Sequence, residues 1–562
     1  MENNIALTVL SLSVSAALTA WLAPKARRRL QLSRAKHRSL AGHSRMARRL
    51  ASWLPGYKLD EHAFFAIDGA TPDVAQQRQL ALERLSAVFA QRHPTGIELT
   101  AQAKTFLPDL DFTGRYRVPF QFTDVLSRYL RTSSFVSRSR GLRVQDVDGH
   151  EYIDVSGSYG VNLLGYDVYK ACIQEAVSMV GDLGPMLGAY HPCVLENAQR
   201  LVKISGLDQV TFHMSGTEAV MQAVRLARYH TRRSHIVRFC GAYHGWWEDV
   251  QPGPGNPMPP RETYTLRDMD ERSLKVLRTR DDIACVLINP LQALHPNSPA
   301  PGDTGLVDSG RRAAYDRTAY ARWLAELRAV CTERGIVLIF DEVFLGFRLA
   351  PGGAQDYFKV KADMVTYGKT LGGGLPVGVV CGRADLMKRY REDRPADICF
   401  ARGTFNAHPY VMASMKAFLD RLDSPDIQAL YEGMDERWDG RCERLNDRLK
   451  QAGLPVRVAA MASVWTVLYS EPARYNWMLQ FYLRKHGLWL SWVGSGRMIF
   501  SLEVDERLFE EIADRFLAAA QEMRNDGWWS GPTLTNKGIR RRVFAEMLGH
   551  LSTRWRTWVI GS

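Results

Sequence analysis

The sequence has no closely spaced cysteine pairs. Its eight cysteines are scattered along 562 residues, and none forms a Cys-x-x-Cys motif. This pattern argues against a zinc knuckle or a disulfide framework, and it fits a folded part kept in a reducing, cytosolic setting. We therefore predict no metal site. A hydrophobic share of 46% with 24% charged residues is ordinary globular composition, which argues against disorder and against a multi-span membrane protein.

The body of the chain lacks the excess positive charge that the total suggests. The net charge is +13, but residues 1–50 contribute +9 and residues 537–562 contribute +5. The part between them is therefore close to neutral, and a nucleic-acid-binding body is not indicated. We predict no nucleic-acid partner.

One long stretch near the start lacks charge altogether. Residues 5–23 are 19 uncharged residues followed by a basic segment, and no Lys or Arg precedes them. A helix of about 20 apolar residues matches the hydrocarbon core of a bilayer, and basic flanks remain on the cytoplasmic side. This pattern predicts a single N-terminal membrane anchor with a cytoplasmic catalytic body and the lipid bilayer as a partner. A buried apolar helix or a cleaved signal is the alternative.

The C-terminal segment of residues 537–562 has the pattern of a basic amphipathic helix with tryptophans. Such a helix can lie on anionic lipid. It can equally dock on the protein core and leave a basic face in solvent. The pattern does not separate these two interpretations.

From residue 141 onward, short β-branched runs alternate with stretches of helical length. This alternation predicts an α/β fold with a mainly parallel sheet and helices on both faces. Four motifs lie at predicted strand ends, where such sheets place their ligands. One of them is TYGKTLGGGLPVG, in which Lys369 precedes three glycines. A buried lysine can form a Schiff base with an aldehyde, and the glycines leave room for a flat ring.

The other three motifs have complementary chemistry. Ser215, Gly216 and Thr217 lie between a strand and a helix, and a helix N-terminus binds anions such as phosphate. Tyr243 ends another strand and can stack on a heteroaromatic ring. Asp341 ends a buried strand, where a carboxylate can pair with a pyridinium nitrogen. An N-cap, a strand-end charge or a core aromatic would explain each motif singly.

Together these motifs resemble the class III pyridoxal-phosphate aminotransferases of fold type I, and within them the glutamate-1-semialdehyde aminomutase branch. The resemblance covers about residues 140–520. It implies pyridoxal 5′-phosphate held by Lys369, with Asp341 on the ring nitrogen. Val343 and Tyr243 would flank the ring, and Ser215, Gly216 and Thr217 would hold the phosphate. Thr404 would reach the phosphate of a neighbouring subunit, which implies a homodimer with shared active sites.

The sequence departs from the family at two places. Phe344 stands where many members have a glutamine, and Asn289 stands where they have a glutamate that can pair with a carboxylate-binding arginine. Arg497 falls at the spacing of that arginine. Because asparagine cannot neutralise arginine, Arg497 is either constantly available to a carboxylate or not part of such a switch. The candidate substrate contacts are Tyr159, Trp246, Asn289 and Arg497.

The resemblance favours an aminotransferase that moves an amino group from a donor amino acid to a ketone or aldehyde. The anchor and Trp246 suggest a hydrophobic or lipid-like acceptor. An aminomutase or a C–C bond-forming enzyme is the alternative, and a non-catalytic scaffold is disfavoured because Lys369 and Asp341 are present. The expected domains are an anchor with its basic segment (1–50), a helical extension (51–140), a small domain (141–165 and 405–525), a large cofactor-binding domain (166–404) and a basic C-terminal extension (526–562).

Overall fold

The structure is a computed structural model. It describes residues 2–37, 42–251, 253, 255–258, 261–290, 316–490, 496–531 and 534–560, with side chains of the first and last helices described from residue 16 and up to residue 551. The helices of the described residues are α1 Glu2–Ala35, α2 Ser44–Trp53, α3 Glu61–Phe65, α4 Pro72–Arg92, α5 Pro94–Ala103, α6 Pro108–Tyr116, α7 Thr123–Tyr129, α8 Tyr166–Val180, α9 Cys193–Ser205, α10 Gly216–Thr231, α11 Glu271–Thr279, α12 Arg317–Arg334, α13 Gly353–Phe358, α14 Ala384–Met387, α15 Pro409–Leu422, α16 Pro425–Ala429, α17 Met434–Gln451, α18 Leu479–Lys485, α19 Glu506–Asn525 and α20 Asn536–Ile560.

The strands form three sheets. They are β1 Val136–Arg140, β2 Arg143–Asp146, β3 Glu151–Asp154, β4 Gln209–His213, β5 His235–Phe239, β6 Thr263–Leu266, β7 Ile283–Ile288, β8 Val337–Asp341, β9 Met364–Gly368, β10 Gly378–Gly382, β11 Val456–Met461, β12 Val464–Tyr469, β13 Leu488–Trp489 and β14 Arg497–Ile499. The largest sheet has the order β4-β10-β9-β8-β7-β5-β6, and the smaller ones are β1-β2-β3-β13 and β11-β12-β14.

The seven-stranded sheet is the core of the molecule. β10 runs antiparallel to both of its neighbours, and the other pairs are parallel. Strands β7, β8, β9 and β10 are buried along their whole length, as expected for strands covered by helices on both faces. The predicted fold class is confirmed. In such a sheet the carboxyl ends of parallel strands share one edge, so the residues that follow β8 and β9 come together.

The uncharged stretch at residues 5–23 lies within α1, which continues through the basic segment to Ala35. The C-terminal half of α1 packs beside α11, Ala35 is fully buried, and its carbonyl accepts a hydrogen bond from the Arg267 backbone N–H at 2.9 Å. Within the described part of the chain, no helix is long and apolar enough to cross a membrane. The predictions of a transmembrane anchor and of a membrane-anchored protein are therefore wrong, and the bilayer loses its basis as a partner.

The helical extension and the C-terminal helix pack against the body. His93, at the start of α5, lies 3.0 Å from Asp146 of β2, which joins the extension to the first small sheet. At the other end, Arg474 makes two hydrogen bonds of 2.6 and 2.9 Å to Glu546 of α20, and Tyr57 donates to the same carboxylate at 2.9 Å. The sequence pattern predicts that the C-terminal segment either lies on anionic lipid or docks on the protein core. The described side chains of α20 favour docking on the protein. The division into domains remains a prediction.

Candidate active site

A cavity of about 470 Å³ opens at the carboxyl edge of the large sheet. It brings together residues that lie more than 150 positions apart in the sequence. Its lining includes most of the predicted cofactor residues, namely Ser215, Gly216, Thr217, Tyr243, Asp341, Val343 and Lys369, together with Asn289, His244 and Phe344. The four sequence motifs therefore meet at a single site.

One end of the cavity is the N-terminus of α10. The Ser215 hydroxyl accepts a hydrogen bond from the Glu218 backbone N–H at 3.2 Å, and the Glu218 carboxylate accepts from the Met214 backbone N–H at 3.0 Å. This reciprocal capping fixes the first turn, whose remaining N–H groups and helix dipole favour an anion. Gly216 is required by packing, because a Cβ there would lie 2.4 Å from the Val343 side chain. The geometry suits a phosphate group.

Asp341 is buried at the end of β8 and also lines the cavity. Its Oδ2 is 2.6 Å from Nδ1 of His244, and its Oδ1 accepts hydrogen bonds from the Val343 backbone N–H at 3.1 Å and from the Thr366 hydroxyl at 3.3 Å. An ionised carboxylate can only accept, so His244 donates through Nδ1. Burial lowers the pKa of His244, although the Asp341 contact opposes that effect. The pair presents one oriented carboxylate to the cavity.

Lys369 follows β9 with a backbone φ of +50°, which a non-glycine residue rarely adopts and which is typical of functional sites. Its Nζ donates to the backbone carbonyl of Tyr159 at 3.0 Å. Burial lowers the pKa of Lys369 to about 8; Asp341 opposes this effect, whereas the charges of Arg348 and Arg497 add to it. Lys369 therefore loses its proton more readily than an ordinary lysine, and the neutral amine is the nucleophilic form.

This lowered pKa predicts the pH dependence of cofactor attachment. Only the neutral amine attacks an aldehyde, so the attachment rate should rise with pH below about 8 and become constant above it. An ordinary lysine would continue to gain up to about pH 10.4. Stopped-flow absorbance of apoprotein mixed with pyridoxal phosphate measures this profile. Arg497→Met should move the midpoint to higher pH, while Arg457→Met, on the exposed face of β11, should leave it unchanged. A midpoint above pH 10 would contradict the prediction.

The Phe344 ring lies among three cations. The Lys369 Nζ is 5.5 Å from its centroid, and the guanidinium carbons of Arg348 and Arg497 are each 5.7 Å away. Gly160 makes room for the ring, because a Cβ at that position would lie 2.7 Å from it. Phe344, which stands where many family members have glutamine, therefore lies close to Lys369, Arg348 and Arg497 with an apolar ring.

Arg348 is fully buried and holds three separate segments together. Its guanidinium donates to the carbonyls of Gly160 at 2.9 Å and Phe500 at 3.0 Å, and to the Ser463 hydroxyl at 3.3 Å. Gly160 is next to Tyr159, whose carbonyl accepts from Lys369, so Arg348 fixes the backbone that orients the lysine. Sequence reasoning missed this residue because its partners are distant backbone atoms.

His244 was also missed, although its signal was available. It directly follows Tyr243 in the same strand-end motif, and it is the side chain that orients Asp341. A histidine next to a predicted ring-stacking residue could have been proposed as a partner of the carboxylate at the neighbouring strand end.

The remaining predicted residues lie at different distances from the cavity. Asn289 is buried and lines it. Tyr159 and Arg497 are not among the lining residues, but both are linked to Lys369: Tyr159 accepts its hydrogen bond through the backbone carbonyl, and the charge of Arg497 acts on it. Trp246 is 75% exposed and lies outside the lining, as does the exposed Thr404. The roles assigned to these residues stay predictions.

A second group of titratable side chains lies away from the cavity. The ligand atoms of His93, Asp146 and Asp148 are within 4.8 Å of one another. Each residue already has structural partners: His93 contacts Asp146 and the Tyr152 hydroxyl, and Asp148 accepts from two backbone N–H groups that follow His93. This cluster fastens the extension to β2 and β3.

Comparisons with known proteins agree with the fold and the site. The fold is that of the fold type I pyridoxal-phosphate-dependent transferases. The family model described as "Aminotransferase class-III" matches residues 127–248 and 314–519, more than half of the chain. The chain therefore belongs to the class III aminotransferase family.

Three relatives illustrate this similarity. A glutamate-1-semialdehyde 2,1-aminomutase of Hydrogenobaculum sp. is 34% identical over 355 residues, which are 60% of this chain and 77% of the relative. A solved structure titled "Transaminase with PLP bound" is 30% identical, with a TM-score of 0.58, over 70% of this chain and 92% of that one. A glutamate-1-semialdehyde aminomutase from Pseudomonas aeruginosa PAO1 is 18% identical, with a TM-score of 0.63 over 80% and 99% of the chains, which supports the fold alone.

The predicted cofactor is pyridoxal 5′-phosphate, and the family membership confirms it. The residues of the cavity fit this group. A helix N-terminus suits its phosphate, the Asp341 carboxylate suits its ring nitrogen, and the lowered pKa of Lys369 suits its aldehyde. All three line the same cavity.

Proposed function

We propose that the protein is an aminomutase of the glutamate-1-semialdehyde type, which moves an amino group between adjacent carbons of one small carboxylated substrate. This was the alternative to transamination between two molecules. The observation that carries it is the position of Arg497, whose guanidinium lies 5.7 Å from the Phe344 ring and whose charge acts on Lys369. A carboxylate bound there would place the neighbouring carbons of the substrate beside the lysine.

The reaction is an isomerisation. An amino aldehyde becomes an amino ketone when the nitrogen leaves one carbon and a nitrogen is placed on its neighbour, so no external oxidant or reductant is needed. When bound, pyridoxal phosphate carries the amino group and accepts the electron pair released by the substrate carbon. In this proposal Arg497 binds the substrate carboxylate and Lys369 Nζ moves the proton between the substrate positions.

The other residues prepare the site for that proton transfer. Asp341, held by His244, presents its carboxylate to the cavity, where a protonated ring nitrogen would need it. The buried Arg348 fixes the Gly160 backbone, and the Tyr159 carbonyl then orients the Lys369 amine. The Phe344 side chain presents an apolar ring 5.5 Å from the Lys369 Nζ, where a polar side chain could compete for the amine.

The proposal includes a homodimer. Thr404 is exposed and does not line the cavity of its own chain, which fits its predicted contact with a cofactor phosphate in a second subunit. The neighbouring Gly403 approaches Glu218, which caps α10, because a Cβ at Gly403 would lie 3.0 Å from that carboxylate. Thr404 is therefore near the edge of the phosphate end, as a shared site would need.

Glutamate-1-semialdehyde provides the direct test. The holoprotein should convert it to the isomeric amino ketone, without a second amino acid or 2-oxo acid, as followed by chromatography. Arg497→Met should raise KM about tenfold to a hundredfold, because hydrogen bonds to charged groups contribute about 1.5–3 kcal/mol. Arg457→Met on the same small sheet is the matched control and should leave KM unchanged.

Transamination between two molecules is the second candidate, favoured by the 30% identical structure titled as a transaminase. It predicts that donor amino acids alone convert the cofactor to its amine form, and that an added aldehyde or ketone reverses the change. No isomerisation, together with such half-reactions, would replace the aminomutase proposal. Formation of a product with a new carbon chain would instead indicate C–C bond chemistry. The hydrophobic acceptor has lost its main support with the anchor, since Trp246 also lies outside the cavity lining.

A further inference from the structure

The helical extension contains a cavity of its own, with a volume of about 270 Å³. Its walls come from α5, α6 and α7, from the segment 130–134 that leads into β1, and from Phe481 of α18. It shares no lining residue with the Lys369 cavity. Most of its walls precede residue 127, where the match to the class III family begins.

The charge of this cavity is of one sign. Lys104, Arg117 and Arg131 line it, and its lining contains no aspartate or glutamate. Arg117 is only 9% exposed, and it donates a hydrogen bond from Nη1 to the hydroxyl of the buried Thr132. Burial and the nearby charge of Arg484 lower the pKa of Arg117 to about 9, while Tyr159 opposes that effect. An anion would offset the cost of burying this cation close to another.

The rest of the lining is apolar with a few hydroxyls. The apolar side chains are Ile97, Ala101, Leu110, Val118, Leu126, Leu130 and Phe481. Lys104 folds over Gly114, where a Cβ would lie 3.4 Å from the Lys104 Nζ. A cavity of this size, with apolar walls and three cations in its lining, is suited to a small molecule that has an acidic end and a short hydrocarbon body.

One cation of this cavity, Arg117, also acts on Tyr159 near the catalytic site. Burial raises the pKa of the Tyr159 phenol, and the charge of Arg117 opposes that effect. The backbone carbonyl of the same Tyr159 accepts the hydrogen bond from Lys369. Arg117 therefore lines the cavity of the extension and also acts, through its charge, on the residue whose carbonyl orients the catalytic lysine.

We propose that this cavity is a binding site for a small organic acid, with the carboxylate held by Arg117, Lys104 and Arg131 and the hydrocarbon body against Leu126 and Phe481. The site is separate from the one that holds pyridoxal phosphate. It rests on the extension alone and not on the aminomutase proposal.

Hexanoate is a suitable probe, because it has one carboxylate and a short chain. Ligand-observed NMR on the holoprotein should detect its binding, with inorganic phosphate binding more weakly because it gains nothing from the apolar walls. The holoprotein is used because its cofactor phosphate occupies the anion site at the N-terminus of α10, so that hexanoate binding there does not enter the measurement. Arg117→Met should raise the hexanoate Kd at least about tenfold, the size expected for losing a charge-assisted hydrogen bond.

Two further variants keep the test decisive. Lys104→Met replaces an exposed side chain, so this variant should keep the fold even if the variant at the buried Arg117 is unstable. Lys104→Met should raise the hexanoate Kd about threefold, within the range for an exposed charge pair. Arg128→Met is the matched control, since that exposed arginine of α7 pairs with Glu61 at 3.2 Å and does not line the cavity. It should leave the Kd unchanged.

Three results would overturn the proposal. They are no hexanoate binding to the holoprotein, a hexanoate Kd that neither Arg117→Met nor Lys104→Met changes from that of the original protein, or loss of binding in Lys369→Ala. The last result would place the acid in the catalytic cavity, as the distal end of a substrate. Retained binding in Lys369→Ala supports the separate site even if glutamate-1-semialdehyde is not a substrate, so the two proposals can fail independently.

Discussion

Replacing Lys369 by alanine should abolish turnover and remove the covalent link to the cofactor. Lys369 is the lysine that lines the cavity, and burial lowers its pKa to about 8. The variant loses both the nucleophile and the group that moves the proton. General acid–base catalysis alone contributes about 10²–10⁴-fold, so the combined loss in kcat should exceed about 10⁴-fold. Borohydride reduction followed by mass spectrometry of peptides measures the link, and a steady-state assay measures the rate.

Lys361→Ala is the control for this experiment. It removes an exposed lysine eight residues earlier in the chain, outside the cavity. This variant should keep the borohydride-reducible link and the activity of the original protein. If Lys369→Ala kept both as well, the catalytic role of Lys369 would be wrong.

The second large effect is expected for Asp341→Asn. The substitution keeps the size of the side chain but removes its charge, and a neutral amide cannot hold the proton on a ring nitrogen. Cofactor should remain bound, because the phosphate end and Lys369 are unchanged. The kcat should fall by about 10³-fold, at the upper end of the effects seen when one electrostatic group is removed from an active site. Cofactor content by absorbance, together with kcat, separates binding from chemistry.

Two controls accompany Asp341→Asn. Asp393→Asn changes an exposed carboxylate that is outside the cavity, and it should leave cofactor content and kcat unchanged. His244→Gln removes the imidazole that lies 2.6 Å from Asp341, and it should reduce kcat less than Asp341→Asn does because the carboxylate itself remains. Near-normal turnover in Asp341→Asn would refute the assigned role.

The fold and the cofactor residues could be predicted because the relevant signals are local. Lys369, Tyr243 and Ser215 each follow a short strand and Asp341 ends one, and the carboxyl ends of parallel strands in one sheet meet at one edge. No long-range information was needed to expect their convergence. His244 had the same kind of signal, but its role depends on a contact 97 residues away along the chain.

Other features depend on packing that no local pattern encodes. Arg348 binds carbonyls at positions 160 and 500, and the walls of the extension cavity come from three helices and Phe481. The membrane prediction failed for a related reason. A window of 19 uncharged residues does not show that the helix continues to Ala35, where it is buried against the body.

The contacts of Arg348 have a consequence for biosynthesis. This arginine is made long after Gly160 and long before Phe500, yet it holds both carbonyls at once. While the ribosome is still adding the last of these segments, the guanidinium has no complete set of acceptors, and the backbone beside Lys369 is not yet fixed. A nascent chain truncated before Phe500 therefore lacks one of the acceptors that fix the backbone beside Lys369, and the lysine reaches its final orientation only after β14 and Phe500 have been made.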